Sequence, residues 1–173
     1  MAPAVPQGDH IFTGPSQVAR TGGANRIGLT FQATETDTRK ALIMLADILG
    51  AQDYDTATVE VAELVLAEVL NNVVEHAYGG TGGGDIGIRI DVTASGLDCR
   101  VTDQGKRLPS DRLPNGALAS HGAARRHLPE GGFGWFLIHS LTENIRYSRQ
   151  NGENRLGFTI PSQNHSKGMC ARM

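Results

Sequence analysis

The sequence has few of the residues that would give it an easy signature. Two cysteines in 173 residues, Cys99 and Cys170, cannot build a disulfide framework, and no CxxC pair or HExxH run offers a zinc site. No GK[ST] triplet occurs, which excludes a P-loop, and no apolar run approaches the ~18 residues of a membrane-spanning helix. Neither sign of charge dominates. Sixteen basic against eighteen acidic residues leave a formal charge of −2, so no broad field favours nucleic acid or an anionic membrane as a partner. The N-terminal MAPAVPQGDHIF has neither the basic segment nor the apolar core of a secretory signal, and a reducing cytoplasm is the expected setting.

What is plentiful is glycine: 22 residues, nearly twice the roughly 7% average, in a chain without repeats. That much glycine points to loops shaped for a task. Residues 1–25 are expected to form a flexible leader, 26–160 the folded domain and 161–173 a polar tail.

Within the domain, residues 26–31 alternate and predict a strand. Thr34 and Asp37 have capping-box spacing, with a helix expected to follow to Leu49 on the stripe Leu42, Leu45, Ala46 and Leu49. A second helix is expected from about Thr56 to Tyr78, where Gly79-Gly80 stops it, with Ala62, Val65, Val69, Val73 and Ala77 inward. Residues 86–92 and 97–102 alternate around Ser95-Gly96 as a hairpin. Residues 104–132 show no regular pattern beyond a short helix near Asp111, and loops of that length are usually functional or disordered. A short helix over 133–142 and a hairpin turning at Asn151-Gly152 complete the order βααββ–loop–αββ. This is the pattern of an α+β fold, a two-layer sandwich with helices on one face of a mixed, mainly antiparallel sheet.

Three places could carry chemistry. Glu68, Asn72 and His76 are spaced by four and stack on one stripe of the second helix, although such a stripe alone is also what a solvated face looks like. Asp103 ends a strand ahead of Gln104-Gly105, as a turn or as a carboxylate beside a glycine that lets a flat ligand approach. Gly131-Gly132-Phe133-Gly134 opens a helix, either as a hinge and cap or as a place where phosphate meets helix amides.

Taken in this order, the residues resemble the GHKL ATPase superfamily. The stretch EVLNNVVEHAYGG (68–80) is similar to its N box, VTDQG (101–105) to its first glycine box, and EGGFGWFLIHSLTENIRYSRQNGENRL (130–156) to its second. His76-Ala77-Tyr78 matches most closely the bacterial anti-sigma-factor serine/threonine kinases. The resemblance spans about residues 26–160 and implies a GHKL-type sandwich that binds ATP and Mg2+. It implies that Asn72 is the magnesium ligand, that Glu68 is the general base, and that Asp103 accepts a hydrogen bond from the adenine amino group with Gly105 making room for the ring. Gly132 and Gly134 would present amides to phosphate, and residues 106–131 would form a lid carrying His121, Arg125, Arg126 and His127. His76 and His139 are expected to be structural. The first glycine box of the superfamily usually reads Asp-x-Gly-x-Gly, and here Arg107 stands at the second glycine.

The implied function is an ATP-dependent serine/threonine protein kinase that phosphorylates an anti-anti-sigma protein and sequesters a sigma factor, as a homodimer. Two alternatives remain. One is a non-catalytic partner-binding module on the same fold, which Arg107 favours and the Glu68/Asn72 pair disfavours. The other is a detached histidine-kinase ATP-binding domain, which would need a phosphoacceptor helix pair from elsewhere.

Overall fold

A computed structural model describes residues 17–18, 25–51, 54–80, 82–114 and 132–163. β1 (Gln17–Val18) and β2 (Arg26–Gln32) lead into α1 (Glu35–Gly50) and α2 (Thr56–Asn72), then β3 (Asp85–Thr93) and β4 (Gly96–Asp103). After the loop come α3 (Gly132–Leu141), β5 (Glu143–Gln150) and β6 (Glu153–Pro161).

The local signals act as expected at the helix starts. Thr34 is extended (φ −117°, ψ 153°) and its hydroxyl accepts from the Asp37 amide at 3.1 Å, capping α1. Asp55 caps α2, its carboxylate accepting from the amides of Ala57 and Thr58 at 3.2 Å each. The buried stripe of α1 is Thr38, Ala41, Leu45 and Leu49, with Leu42 and Ala46 only partly covered. α1 packs on both α2 and β2, and the stripe Thr38, Ala41, Leu45 and Leu49 is the one turned between them.

The end of α2 departs from the simple pattern. Instead of continuing to Tyr78, the α-helix gives way after Asn72 to a π-helical turn over Val73–Ala77. A π turn holds one more residue than an α turn and so rotates everything after it. Val74 therefore enters the core, while Val73 and Ala77, expected inward, turn towards the cleft described below.

The sheet order is β1-β2-β3-β4-β6-β5, and all five pairings are antiparallel, with no parallel pair among the described strands. From β4 the chain passes through the loop and α3 to the outer edge as β5. It then returns through a turn with Asn151 (φ 52°) and Gly152 (φ 84°), inserting β6 beside β4. That insertion places Asn154 directly opposite Asp103. One face of the sheet buries Ile86, Ile88, Ile90, Leu97, Cys99, Val101, Phe158 and Ile160 under the helices. The other face carries charged residues, and no described helix covers it. No helix among the described residues is long and apolar enough to cross a membrane.

Candidate functional site

A cleft of about 530 Å3 opens between the π turn of α2, the ends of β4 and β6, and α3. Its walls are mainly apolar, with Val73, Val101, Leu108, Trp135 and Leu156 among them, and its polar groups are few and placed at specific points.

Asn72 is one of them. Its side-chain NH2 donates to the Glu68 carbonyl, four residues back, at 2.8 Å. That bond sets the amide orientation and leaves Oδ1, which accepts no hydrogen bond among the described residues, available to the cleft. The asparagine thus ends the α-helix with an oxygen aimed away from it, at the residue where the π turn begins.

Asp103 is the second. It is only 7% exposed, and Oδ1 accepts from the Gly105 amide and from Asn154 Nδ2, both at 2.8 Å. Asn154, itself 5% exposed, also donates to the Lys106 carbonyl at 3.0 Å, while its Oδ1 accepts from Tyr147 at 2.7 Å and Arg149 at 2.6 Å. Arg149 further donates to the Gly105 carbonyl at 2.9 Å. Every polar atom of Asn154 is engaged, so Asp103 Oδ1 is fixed and Oδ2, with no partner among the described residues, is presented to the cleft. Burial raises the Asp103 carboxyl above its ordinary 3.8, and the bonds from Asn154 and Gly105 only partly oppose that.

Glu68 lies one turn before Asn72, and its carboxylate rests against α3. A Cβ built on Gly134 would stand 2.4 Å from Glu68 Oε2 and 3.7 Å from Asn72 Nδ2. The second glycine box therefore abuts the Glu–Asn pair directly, and no larger residue fits there unless Glu68 moves.

Gly105 is crowded from another side. A Cβ there would meet the Ala77 main chain at 2.7 Å, and the Lys106 amide donates to the Ala77 carbonyl at 2.9 Å. Tyr78 continues the junction, its hydroxyl donating to the Asp85 carbonyl at 3.1 Å and accepting from the Gln104 amide at 3.0 Å. The Ala77-Tyr78 pair thus locks the end of α2 to the strand end that carries Asp103. His76 lines the cleft from an exposed position.

Of the loop, residues 106–114 are described. Lys106, Arg107 and Leu108 line the cleft, and Arg107 forms an exposed ion pair with Asp111 at 3.1 Å, a contact worth little. His139 on α3 bonds the Pro114 carbonyl at 2.9 Å, tying the loop start to that helix. The remainder of the expected lid, with His121, Arg125, Arg126 and His127, lies outside the described residues, as do most of the leader and the end of the tail. Gly132 opens α3.

These donors fit a magnesium nucleotide. No cluster of three His, Cys, Asp or Glu side chains able to hold a metal occurs among the described residues. A hard divalent ion would be held here by one amide oxygen, with phosphate and water supplying the rest. A buried carboxylate with a free oxygen over apolar walls suits a flat heterocycle bearing an amino group.

The sequence reading gave no role to Asn154, Tyr147, Arg149 or Trp135. A signal for Asn154 was present. The alternation that sends Phe158 and Ile160 inward along β6 also sends residue 154 inward, and an inward asparagine in a strand needs a buried partner.

The model of the family described as histidine kinase-like ATPase domain matches residues 31–160. Serine-protein kinase RsbW from Oceanobacillus iheyensis is 24% identical over 113 residues, covering 65% of this chain and 72% of that protein. The proteins of the same name from Halalkalibacterium halodurans and Bacillus subtilis are 28% and 26% identical, covering 64% of this chain and 67% and 69% of theirs. Among solved structures, the RsbU and RsbW domains of a Mycobacterium tuberculosis protein share the fold with a TM-score of 0.52 at 16% identity. The match covers 79% of this chain and 32% of that longer one.

Proposed function

The chain belongs to the histidine kinase-like ATPase domain family, and from that premise we propose that it is an ATP- and Mg2+-dependent serine/threonine protein kinase of the anti-sigma-factor type. It phosphorylates an anti-anti-sigma antagonist and, in another state, sequesters a sigma factor, working in the cytoplasm as a homodimer. The observation that carries the reading is that Asn72 and Asp103 line one cleft, Asp103 fixed by Asn154, while Glu68 and Gly134 lie against each other beside Asn72. The serine-protein kinase name of the relatives supports it.

In this reading Asp103 Oδ2 would take the adenine amino group and Asn72 Oδ1 would hold magnesium, whose charge would offset that of the phosphates. Glu68 removes the proton from the acceptor hydroxyl as its oxygen bonds to the γ-phosphorus, and ADP leaves. Transfer of this kind rests largely on positioning and electrostatics, and the placement of Glu68 against Gly134, one turn from Asn72, supports the first.

A second reading, a non-catalytic module that only captures a partner, is favoured by Arg107, which lines the cleft where the superfamily usually has glycine. Single-turnover phosphorylation of candidate antagonist proteins, with ATP affinity measured in parallel, separates the two. Glu68→Gln is expected to slow transfer by about 10²–10⁴ while leaving ATP affinity nearly intact. Asn72→Ala is expected to weaken Mg-ATP far more than metal-free ATP. A native protein that binds antagonists but transfers phosphate to none gives the decision to the non-catalytic module.

A further inference from the structure

The face of the sheet that no described helix covers holds a trough of about 670 Å3, on the side away from the nucleotide cleft, whose lining includes Arg89, Arg100, Arg146 and Arg155 against Asp91 and Asp98. The strand register aligns Arg89, Arg100, Gly157 and Arg146 in one row across β3, β4, β6 and β5. Gly157 leaves the middle of that row empty. The nearest atom to a Cβ built there is the Cys99 carbonyl oxygen, 3.9 Å away.

The charges in the trough are unevenly satisfied. Asp91 is engaged by Arg26 and by Arg89, Asp98 accepts from Thr159 at 2.8 Å, and Arg155 is held by Glu153 and Gln150. Arg100 and Arg146, on either side of Gly157, have no ion pair or hydrogen bond among the described residues, and both are exposed. Arg100 also sits directly opposite Arg89, an arrangement that costs stability in an antiparallel pair. A second cost lies at the edge of the trough. Asn144 adopts φ 54° where the β5–β6 register shifts between Glu143 and Arg146, and such bulges re-aim the side chains beside them.

We propose that this trough docks an acidic segment of a partner protein, whose carboxylates pair with Arg100 and Arg146 across Gly157. Guanidinium forks suit carboxylates, and two of them flanking an empty glycine position match successive acidic side chains on an extended segment. The chain cannot fill the trough with an acidic run of its own, because the only acids among its undescribed residues are the isolated Asp9, Asp53 and Glu130. A second copy placed there symmetrically would bring the same unpaired guanidiniums into one interface.

The test is fluorescence anisotropy of labelled hexaglutamate titrated with the full-length protein. Saturable binding that weakens with salt is expected, with about a tenfold loss for Arg100→Gln or Arg146→Gln and a larger one for the double variant. Gly157→Leu fills the trough without altering charge and is expected to weaken binding as well, which keeps the test decisive if the double variant fails to fold. Asn72→Ala, at the nucleotide cleft, is expected to leave peptide affinity unchanged. Absence of binding, equal binding by a folded double variant, or equally tight binding of an oligothymidylate would overturn the proposal. So would sedimentation showing a native dimer that the double variant loses, since the occupant would then be a second copy.

Discussion

Asp103 is a buried carboxylate held by one asparagine and one amide, and under the proposed function its protonation state governs nucleotide binding. Burial raises its pKa above 3.8, so the folded protein keeps this proton to a higher pH than the unfolded chain does. The group's contribution to stability is therefore fully present below 3.8 and is lost as pH rises through the folded value. In the proposed reading Asp103 takes the adenine amino group with its ionised oxygen, so ATP affinity should fall on acidification through a window lying above 3.8. Asp103→Asn should flatten that pH profile and shift preference from ATP towards GTP, because an amide NH2 then faces the base. A profile unchanged by the substitution would remove Asp103 from the nucleotide site. A different residue tests the opposite side of the polar balance. The buried hydroxyl of Thr38 on α1 has no hydrogen-bond partner among the described residues. Thr38→Val, nearly the same in shape, should stabilise by about 1 kcal/mol and raise Tm by about 2–4 °C. A lower Tm would mean that the hydroxyl is satisfied.

Among the elements, α2 and α3 meet where Glu68 touches Gly134, and that contact makes an unusual combination of effects measurable. Alanine at 134 would put a methyl group 2.4 Å from Glu68 Oε2, but the obstacle is the far end of a flexible side chain rather than backbone. Gly134→Ala should therefore keep or raise thermal stability, since alanine favours a helix by up to about 1 kcal/mol over glycine. It should still slow single-turnover transfer by about 10², the scale of a small misplacement of a reacting group. Combined with Glu68→Gln it should add little, whereas independent losses would mean that Gly134 acts through something other than Glu68. This contact also marks the limit of what the sequence can express. Helix starts at Thr34 and Asp55, strand alternation and the order of Glu68, Asn72, Asp103 and Gly134 depend on near neighbours in the chain and could be read from it. The rotation of Val73 and Ala77 into the cleft accompanies a π turn whose end is tied through Tyr78 to the Gln104 amide and through Ala77 to Gly105, partners 26 or more residues along the chain. Likewise Asn154 meets Asp103 only because β6 inserts beside β4, 51 residues along.

At the scale of the molecule, the cleft proposed to take nucleotide and the core are parts of one structure. β4 carries Asp103 at its end and Cys99 in its middle, with β3 and β6 paired on either side. Cys99 is buried at the sheet–helix interface, and burial, with Asp98 nearby, pushes its thiol up to about 12. A thiol so placed has almost no thiolate near neutral pH and no access to reagent, so it reacts only when the central strands open. In a Cys170→Ser background, which leaves Cys99 as the sole thiol, labelling by an aromatic disulfide reagent should be slow in native buffer and fast in denaturant. If the cleft binds Mg-ATP only in the folded state, nucleotide at 100 times its Kd adds about 2.7 kcal/mol, lowering the open population about a hundredfold. With fast reclosing the labelling rate follows that population, so it should fall by the same factor. Asn72→Ala should remove the protection without changing the rate in the absence of nucleotide. Rapid labelling of the native protein would show that β4 opens locally. Slow labelling that ATP fails to slow further, at concentrations where ATP is bound, would separate the cleft from the core.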